Sequence, residues 1–358
     1  MPTGLPPKVT AAMLTRLGVA VDSNDPMCLL FKCVSDNGAN IKSSWDNGGR
    51  WVPCFDHTTE LVTLPFTWAP VKKKEMVATI PKGSVAESFA KGRGIVGFLH
   101  VSPNAEADFH THQKACGLPE NKIDQDVKTR WRTAHGMGKQ LVFNKQAVLR
   151  MDAMPAYKDP GETWGKNKLT YEAWDHLEES AACLHDAAYS SQMGEGDKYP
   201  TASLVVPMVY KLIATSAASH DVTFHNRDKD KFNDPNTNPV KVPHANLNPK
   251  VREAREKMHS ELIRRFQDEL PLSVKKFWFV SSMLDPCFKK LTFKHDRFLV
   301  PQMRRDAEKW LTEEFIATSS TRTIRTSLRC QQLTLAKLAK LLLLVTAEAA
   351  EGVGRGFF

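Results

Sequence analysis

The 358-residue sequence lacks both a long hydrophobic run and a paired set of cysteines. Its longest apolar run, residues 341–345, is far too short to cross a bilayer. The N-terminal segment lacks the basic start and apolar core that a secretory signal needs. The seven cysteines are scattered and odd in number, which favours reduced thiols over a disulfide framework. We therefore expect an intracellular chain with no membrane segment.

Two signatures of other protein classes are also missing. No Cys-x-x-Cys pair is followed by a pair of histidines, so the sequence shows no complete zinc-finger ligand set. No Gly-x-Ser-x-Gly motif is present, which leaves a metabolic hydrolase without support. Positive charge is abundant instead, because the formal net charge is +9 and the pI is about 9.1. Such a balance favours an acidic partner, with nucleic acid as the first candidate.

The order of predicted elements changes along the chain. Residues 1–80 alternate helix, strand, helix and strand, which indicates an α/β arrangement with parallel strand pairs. From residue 81 to residue 316, apolar residues recur at helical spacing and predict an all-α part. The predicted helices there cover residues 85–99, 102–115, 126–151, 171–188, 199–218, 249–270 and 301–315. Residues 219–249 are predicted to form a polar loop or linker, and residues 317–358 an atypical tail.

Several side chains are candidates for chemistry. Asp36 follows a predicted strand, so it is either a metal ligand or a turn residue that caps the next helix. Cys54 and His57 could form half a zinc site, although a packed cysteine beside a hydrogen-bonded histidine is the simpler interpretation. Three histidines lie close in sequence at positions 100, 110 and 112, but a His-x-His pair on a helix points to different faces.

Basic residues at positions 252, 255, 257, 264 and 265 are expected on one face of the predicted helix 249–270. A solvated helix face is the simplest interpretation of this pattern. Phosphate binding is the alternative.

Five short motifs occur in a fixed order along the chain. They are SDNGANI at 35–41, WVPCFDHT at 51–58, DVKTRW at 126–131, YPTAS at 199–203 and LDPCFK at 284–289. Together they resemble the hAT superfamily of DNA transposases and its domesticated relatives with BED-type zinc fingers. The resemblance covers residues 9–316 and implies an RNase H-like fold interrupted by a large helical insertion domain. In that family, three acidic residues hold two divalent metal ions for phosphoryl transfer.

The resemblance also assigns roles to individual residues. Asp36 matches the second of the three metal-binding acids. Lys128, Arg130 and Trp131 match the motif in which such enzymes contact DNA and stack a flipped base. From its spacing alone, Trp131 is equally suited to the core of an amphipathic helix.

The resemblance also covers the residues at the junction with the insertion domain. Cys54 and His57 match the Cys-x-x-His pair at the junction with the insertion.

The chain departs from the family pattern at both ends. The opening strand with the first acid is not found before Asp36, and no segment within residues 317–358 resembles the one that carries the third acid. One carboxylate of three cannot hold two metal ions, so we expect Asp36 to be vestigial and the chain to be catalytically inactive. No cofactor is expected for the chain as it stands, whereas an intact homologue would use Mg²⁺.

The sequence thus predicts an incomplete RNase H-like core with a helical insertion-type domain, in a transposase-derived nuclear protein. DNA of unknown sequence is the expected partner, together with a second copy of the chain or related transposase-derived proteins. Two alternatives stay open. The chain could belong to an active transposase whose gene model is truncated, or it could be a remnant without function.

Overall fold

The computed structural model describes residues 33–35, 51–67, 80–126, 131–195, 201–224, 239–288, 291 and 301–326. In this part the protein is mostly helical, with twelve α-helices, one parallel strand pair and one antiparallel strand pair. None of the described helices is long and apolar enough to span a membrane. Three predicted site residues, Asp36, Lys128 and Arg130, lie outside the described residues.

The helices and strands follow the chain in a simple order. The elements up to residue 194 are β1 (Cys33–Ser35), β2 (Trp51–Pro53), α1 (Phe55–Thr67), α2 (Val85–Val101), α3 (Pro103–Ala115), α4 (Trp131–Phe143), α5 (Lys145–Ala153), α6 (Thr163–Lys166), α7 (Tyr171–Cys183) and α8 (His185–Gly194). The later elements are α9 (Val205–Ser216), β3 (Val222–Phe224), β4 (Val240–Val242), α10 (Pro249–Ile263), α11 (Leu272–Leu284) and α12 (Pro301–Thr326).

The chain divides into two compact units. The first comprises Met1–Cys54, Gly196–Tyr210 and Leu270–Phe358, and the second comprises Phe55–Glu195 and Lys211–Glu269. Helix α9 supplies its first half to one unit and its second half to the other. The domain boundaries predicted at residues 80 and 316 stay a prediction.

The first unit contains the parallel strand pair that the sequence predicts. In β1 and β2, Val34 lies opposite Val52, and Val52 is fully buried. Two short strands are a smaller sheet than an RNase H-like core, so the described residues alone do not show that fold. In the same unit, α11 packs against α12, and the ring of Phe279 meets those of Tyr210 and Trp310 at centroid distances of 6.3 and 6.0 Å.

The second unit is built around the packing of α1 on α10. The apolar residues of α10 recur every three or four positions, and the stripe predicted from this spacing is buried as expected. It consists of Val251, Ala254, Met258, Leu262 and Phe266. Phe266 lies in a π-helical turn, Arg264–Asp268, which extends α10, and its ring is 5.8 Å from that of Phe55. Helical periodicity therefore identified this core correctly.

Helix α2 forms across three glycines because both its start and its packing favour it. Ser84 caps the helix by accepting a hydrogen bond from the backbone N–H of Glu87. A methyl group at Gly92 would lie 2.8 Å from a side-chain carbon of Leu141, so this glycine allows the close approach of α4. The predicted helix is thus confirmed, and the glycines are part of its packing.

The predicted bounds of one helix and the predicted polar loop need correction. The single helix predicted at 171–188 is two helices, α7 and α8, which meet at the fully buried Leu184. Tyr171, the first residue of α7, is 84% exposed. Pro207 lies in the first turn of α9, where a backbone N–H has no helical partner. The predicted polar loop contains the antiparallel pair β3–β4.

Candidate functional site

The DVKTRW motif begins with a buried ion pair. The guanidinium of Arg93 on α2 donates from Nε to Oδ2 of Asp126, the first residue of the motif. These side chains are 16% and 2% exposed, respectively. Arg93 also donates from Nη2 to the backbone oxygen of Thr67, at the end of α1, over 3.4 Å. The start of the motif is therefore attached to two helices.

The motif ends at the first residue of α4, Trp131, whose backbone is described and whose side chain is not. The next residue, Arg132, forms an ion pair with Glu195 after α8, with 2.7 Å between Nη2 and Oε2. Residues 127–130 thus connect two attached points, Asp126 on one side and Arg132 on the other.

Asp56, a residue of the WVPCFDHT motif, lies close to Arg132. Asp56, in the first turn of α1, accepts a hydrogen bond from Oγ of the fully buried Ser191 on α8. Burial raises the pKa of Asp56 from 3.8 to about 6, and the negative charge of Glu195 acts in the same direction. The positive charge of Arg132 opposes that rise. Helices α1, α4 and α8 pack against one another here, so Asp56 of the WVPCFDHT motif and Arg132, the residue after the DVKTRW motif, lie in one charged cluster.

Cys54 and His57 lie at the start of α1. Cys54 precedes α1 and is partly buried, and His57 Nδ1 is 3.3 Å from Oε2 of Glu60, one turn further along α1. Among the described residues, no group of three or more His, Cys, Asp or Glu side chains could hold a metal ion. The roles of Cys54 and His57 stay a prediction.

The last two motifs meet in the first unit. Ser203 of YPTAS donates from Oγ to Oδ2 of Asp285 in LDPCFK over 2.7 Å. The backbone oxygen of Ser203 accepts from Oγ of Ser282 over 2.7 Å, and the backbone N–H of Cys287 donates to Oδ1 of Asp285 over 2.9 Å. These motif residues therefore join a turn to the end of α11.

The three clustered histidines have separate partners, as the helical geometry predicts. His100 lies 2.7 Å from the backbone oxygen of Ile123, and His110 lies 2.9 Å from Oε1 of Gln113. His112 points instead at the sulfur of Met154, 3.0 Å away. These contacts give each histidine a local packing role.

The basic face predicted on α10 is only partly a solvated face. Arg255 is 1% exposed, so its prediction as a surface residue is wrong. Its Nη2 donates to the backbone oxygens of Thr215, Ala217 and His220 at 2.7–3.0 Å, which joins α10 to the end of α9. Lys257 is exposed and pairs with Glu253 over 2.6 Å.

The other three residues of the predicted basic face also have partners. Arg252 donates from Nη1 to the backbone oxygen of Ala245 over 3.4 Å. Arg264 and Arg265 both pair with Glu261. These ion pairs favour a solvated helix face over a phosphate-binding patch.

Sequence analysis missed the partners that bring the motifs together. Asp56 and Asp126 lie inside recognised motifs, but their partners Ser191 and Arg93 lie outside any motif. The one available signal was the presence of an unassigned acidic residue in each motif.

Comparison with known proteins supports a distant relation. No family model matches the chain. Human zinc finger BED domain-containing protein 4 is 24% identical to it over 180 residues, which is 50% of this chain and 14% of that protein. The chain is therefore similar, at a distant level, to a BED-related protein, and the match spans a small part of that relative. This similarity establishes no activity for the chain.

Proposed function

We propose that this chain is part of a transposase-derived nuclear protein that binds DNA through Lys128, Arg130 and Trp131. The observation that carries the proposal is the attachment of the DVKTRW motif on both sides, through Asp126 to Arg93 and through Arg132 to Glu195. A basic segment between two attached points can meet a phosphate backbone at a lower entropic cost than a free segment.

The position at a helix start also suits this role. The first backbone N–H groups of a helix have no intrahelical partner and carry partial positive charge, so they favour phosphate. Trp131 starts α4, with two basic residues just before it. Stacking of a base on an indole ring adds affinity that does not depend on base identity. The net charge of +9 adds a favourable long-range attraction.

The proposal includes an RNase H-like origin of the first unit, supported by the parallel pair β1–β2 and by the five ordered motifs. A second copy of the chain or a related transposase-derived protein is a further proposed partner. The described residues do not supply a ligand set for Mg²⁺, and Asp36 lies outside them. We therefore derive no catalytic step.

The test is binding of the purified chain to labelled duplex and hairpin DNA across a salt series. We expect affinity that tolerates sequence changes and falls steeply with salt, because phosphate contacts release counterions. Lys128→Ala and Arg130→Ala should each reduce the slope of log K against log salt by about 1. Trp131→Ala should weaken hairpin binding selectively, by about 1–3 kcal/mol.

Lys257→Ala is the matched control, because it removes an exposed basic residue that pairs with Glu253 on α10. Its affinity and salt slope should equal those of the unmodified chain. If the chain binds neither DNA at low salt, the DNA-binding proposal is wrong and a protein-interaction role becomes the leading alternative.

A further inference from the structure

The segment that leads into the DVKTRW motif, residues 118–126, has neither helix nor strand structure, yet side chains of three helices hold it. We call it the strap. Gln113 on α3 donates to the backbone oxygen of Asn121 over 3.0 Å. His100 on α2 lies 2.7 Å from the backbone oxygen of Ile123. Gln140 on α4 accepts from the backbone N–H of residue 124 over 2.6 Å.

One face of α2 follows the strap along its length. Arg93, Gly97 and His100 are four and three residues apart, so they share one side of the helix. Arg93 bonds Asp126, His100 contacts Ile123, and a methyl group added at Gly97 would lie 3.4 Å from Oε1 of Gln125. The strap therefore runs close against α2 and ends at the ion pair.

Burying the Arg93–Asp126 ion pair costs free energy, because both charges lose contact with water. Taking a carboxylate and a guanidinium out of water offsets most of their attraction, so a buried pair seldom adds stability over apolar residues of similar size. Here Asp126 is nearly inaccessible, and its Oδ1 has no hydrogen-bond partner among the described residues. The pair instead provides a defined geometry, because the guanidinium nitrogen fixes the position of the carboxylate to which it donates.

We propose that Arg93 and Asp126 are positioning residues that hold the start of the DVKTRW motif and thereby favour contact of Lys128 and Arg130 with DNA phosphates. This inference rests on the proposed function of Lys128, Arg130 and Trp131. Neither member of the pair contacts the nucleic acid. The pair acts by fixing the residue from which the basic segment starts, and the contacts at Asn121, Ile123 and residue 124 fix the strap before it.

Hydrogen exchange of the full chain tests the positioning without any DNA. Arg93→Gln should speed exchange in peptides covering residues 118–136 by at least about tenfold, and it should leave peptides of α10 unchanged. Arg93→Lys keeps the charge and should restore part of the protection. Lys91→Gln is the matched control, because it removes a partly exposed ion pair with Glu87 on the same helix.

DNA binding then tests the consequence. Arg93→Gln retains the proposed DNA-contacting side chains, yet we expect about tenfold weaker binding, with Arg93→Lys intermediate and Lys91→Gln unchanged. Unchanged exchange in Arg93→Gln would overturn the inference, and so would faster exchange with unchanged DNA affinity. If the unmodified chain binds no DNA, the proposed function and the DNA part of the inference both fail. The exchange data then still decide whether Arg93 orders the strap.

Discussion

Single buried polar residues hold the second unit together at points where helices end. Arg255 is the clearest case, because one guanidinium nitrogen serves three backbone oxygens at the end of α9. Its Nη1 lies 2.9 Å from Nδ1 of His244, and burial lowers the pKa of the guanidinium. The cost of burying the charge is offset by hydrogen bonds that no smaller side chain could make.

We expect Arg255→Leu to destabilise the chain strongly. The substitution leaves the oxygens of Thr215, Ala217 and His220 without this donor, which should lower the free energy of unfolding by about 3–5 kcal/mol. Urea denaturation monitored by circular dichroism measures the change. The exposed Lys257→Ala variant should stay within about 0.5 kcal/mol of the unmodified chain. Equal effects of the two substitutions would contradict the role of Arg255.

Asp56 makes stability depend on pH in a predictable direction. Its folded-state pKa, about 6, lies above the ordinary 3.8, so the folded state binds this proton more tightly than the unfolded state does. The contribution of Asp56 to stability therefore falls as pH rises from about 4 to about 6, and ionised Asp56 destabilises the fold above that range.

Asp56→Asn should accordingly raise the melting temperature at pH 7.5, and the gain should shrink toward pH 4. Allowing for partial solvation, the gain corresponds to about 1–2 kcal/mol. The asparagine can still accept the hydrogen bond from Ser191. Asp268→Asn, at an exposed position, is the control and should leave the melting temperature nearly unchanged. A gain that is the same at both pH values would exclude the titration of Asp56 as its cause.

At the scale of elements, the helices tolerate glycine in two different ways. Gly136 lies in α4, and outside the backbone of that helix no atom of the described residues lies within 4 Å of an added methyl group. At Gly165 in α6 that methyl would lie 2.0 Å from the backbone oxygen of Asp159. The first glycine lowers helix stability without a packing benefit. The second allows α6 to lie directly against the turn before it.

The two glycines therefore respond oppositely to alanine. Gly136→Ala should stabilise the chain by up to about 1 kcal/mol, because alanine is the better helix former. Gly165→Ala should destabilise it by about 1–3 kcal/mol, because the backbone must move to accept the methyl group. Thermal unfolding of both variants measures the difference. Stabilisation by both substitutions would show that the backbone at Asp159 yields easily.

At the scale of the whole molecule, four of the five motifs have contacts within the two units. The YPTAS and LDPCFK motifs meet through Ser203 and Asp285 in the first unit. In the second unit, Asp56 of the WVPCFDHT motif lies near Arg132, the residue that follows the DVKTRW motif. Each of these contacts joins segments that are far apart in sequence. The motifs therefore contribute to the tertiary structure in addition to carrying the family resemblance.

The basic character of the chain also belongs to this scale. Much of the positive charge on α10 is paired locally, as for Lys257 and Arg264. The net charge of +9 is the sum over the whole sequence, and it supports association with an acidic partner in general. Specific binding would depend on a few positioned residues, which is why the proposal concerns the DVKTRW segment.

The sequence by itself determined most of the helices and their buried faces. Val251, Met258 and Leu262 recur at helical spacing, and Pro103 follows a capping serine, so these elements follow from interactions within a few residues. The strand pair β1–β2 was also predictable from two short apolar runs. The roles proposed for Asp36, Lys128, Arg130 and Trp131 remain predictions.

Only the tertiary structure decided which polar residues are buried and which partners they have. Arg255 fits a basic surface stripe by its spacing, yet it is buried because the end of α9 lies beside it. Arg93 and Asp126 are 33 residues apart, and Ser203 and Asp285 are 82 apart. Periodicity reports on neighbours along one element. A charged group, by contrast, finds its partner across the packed interior, where desolvation and distance decide the pairing.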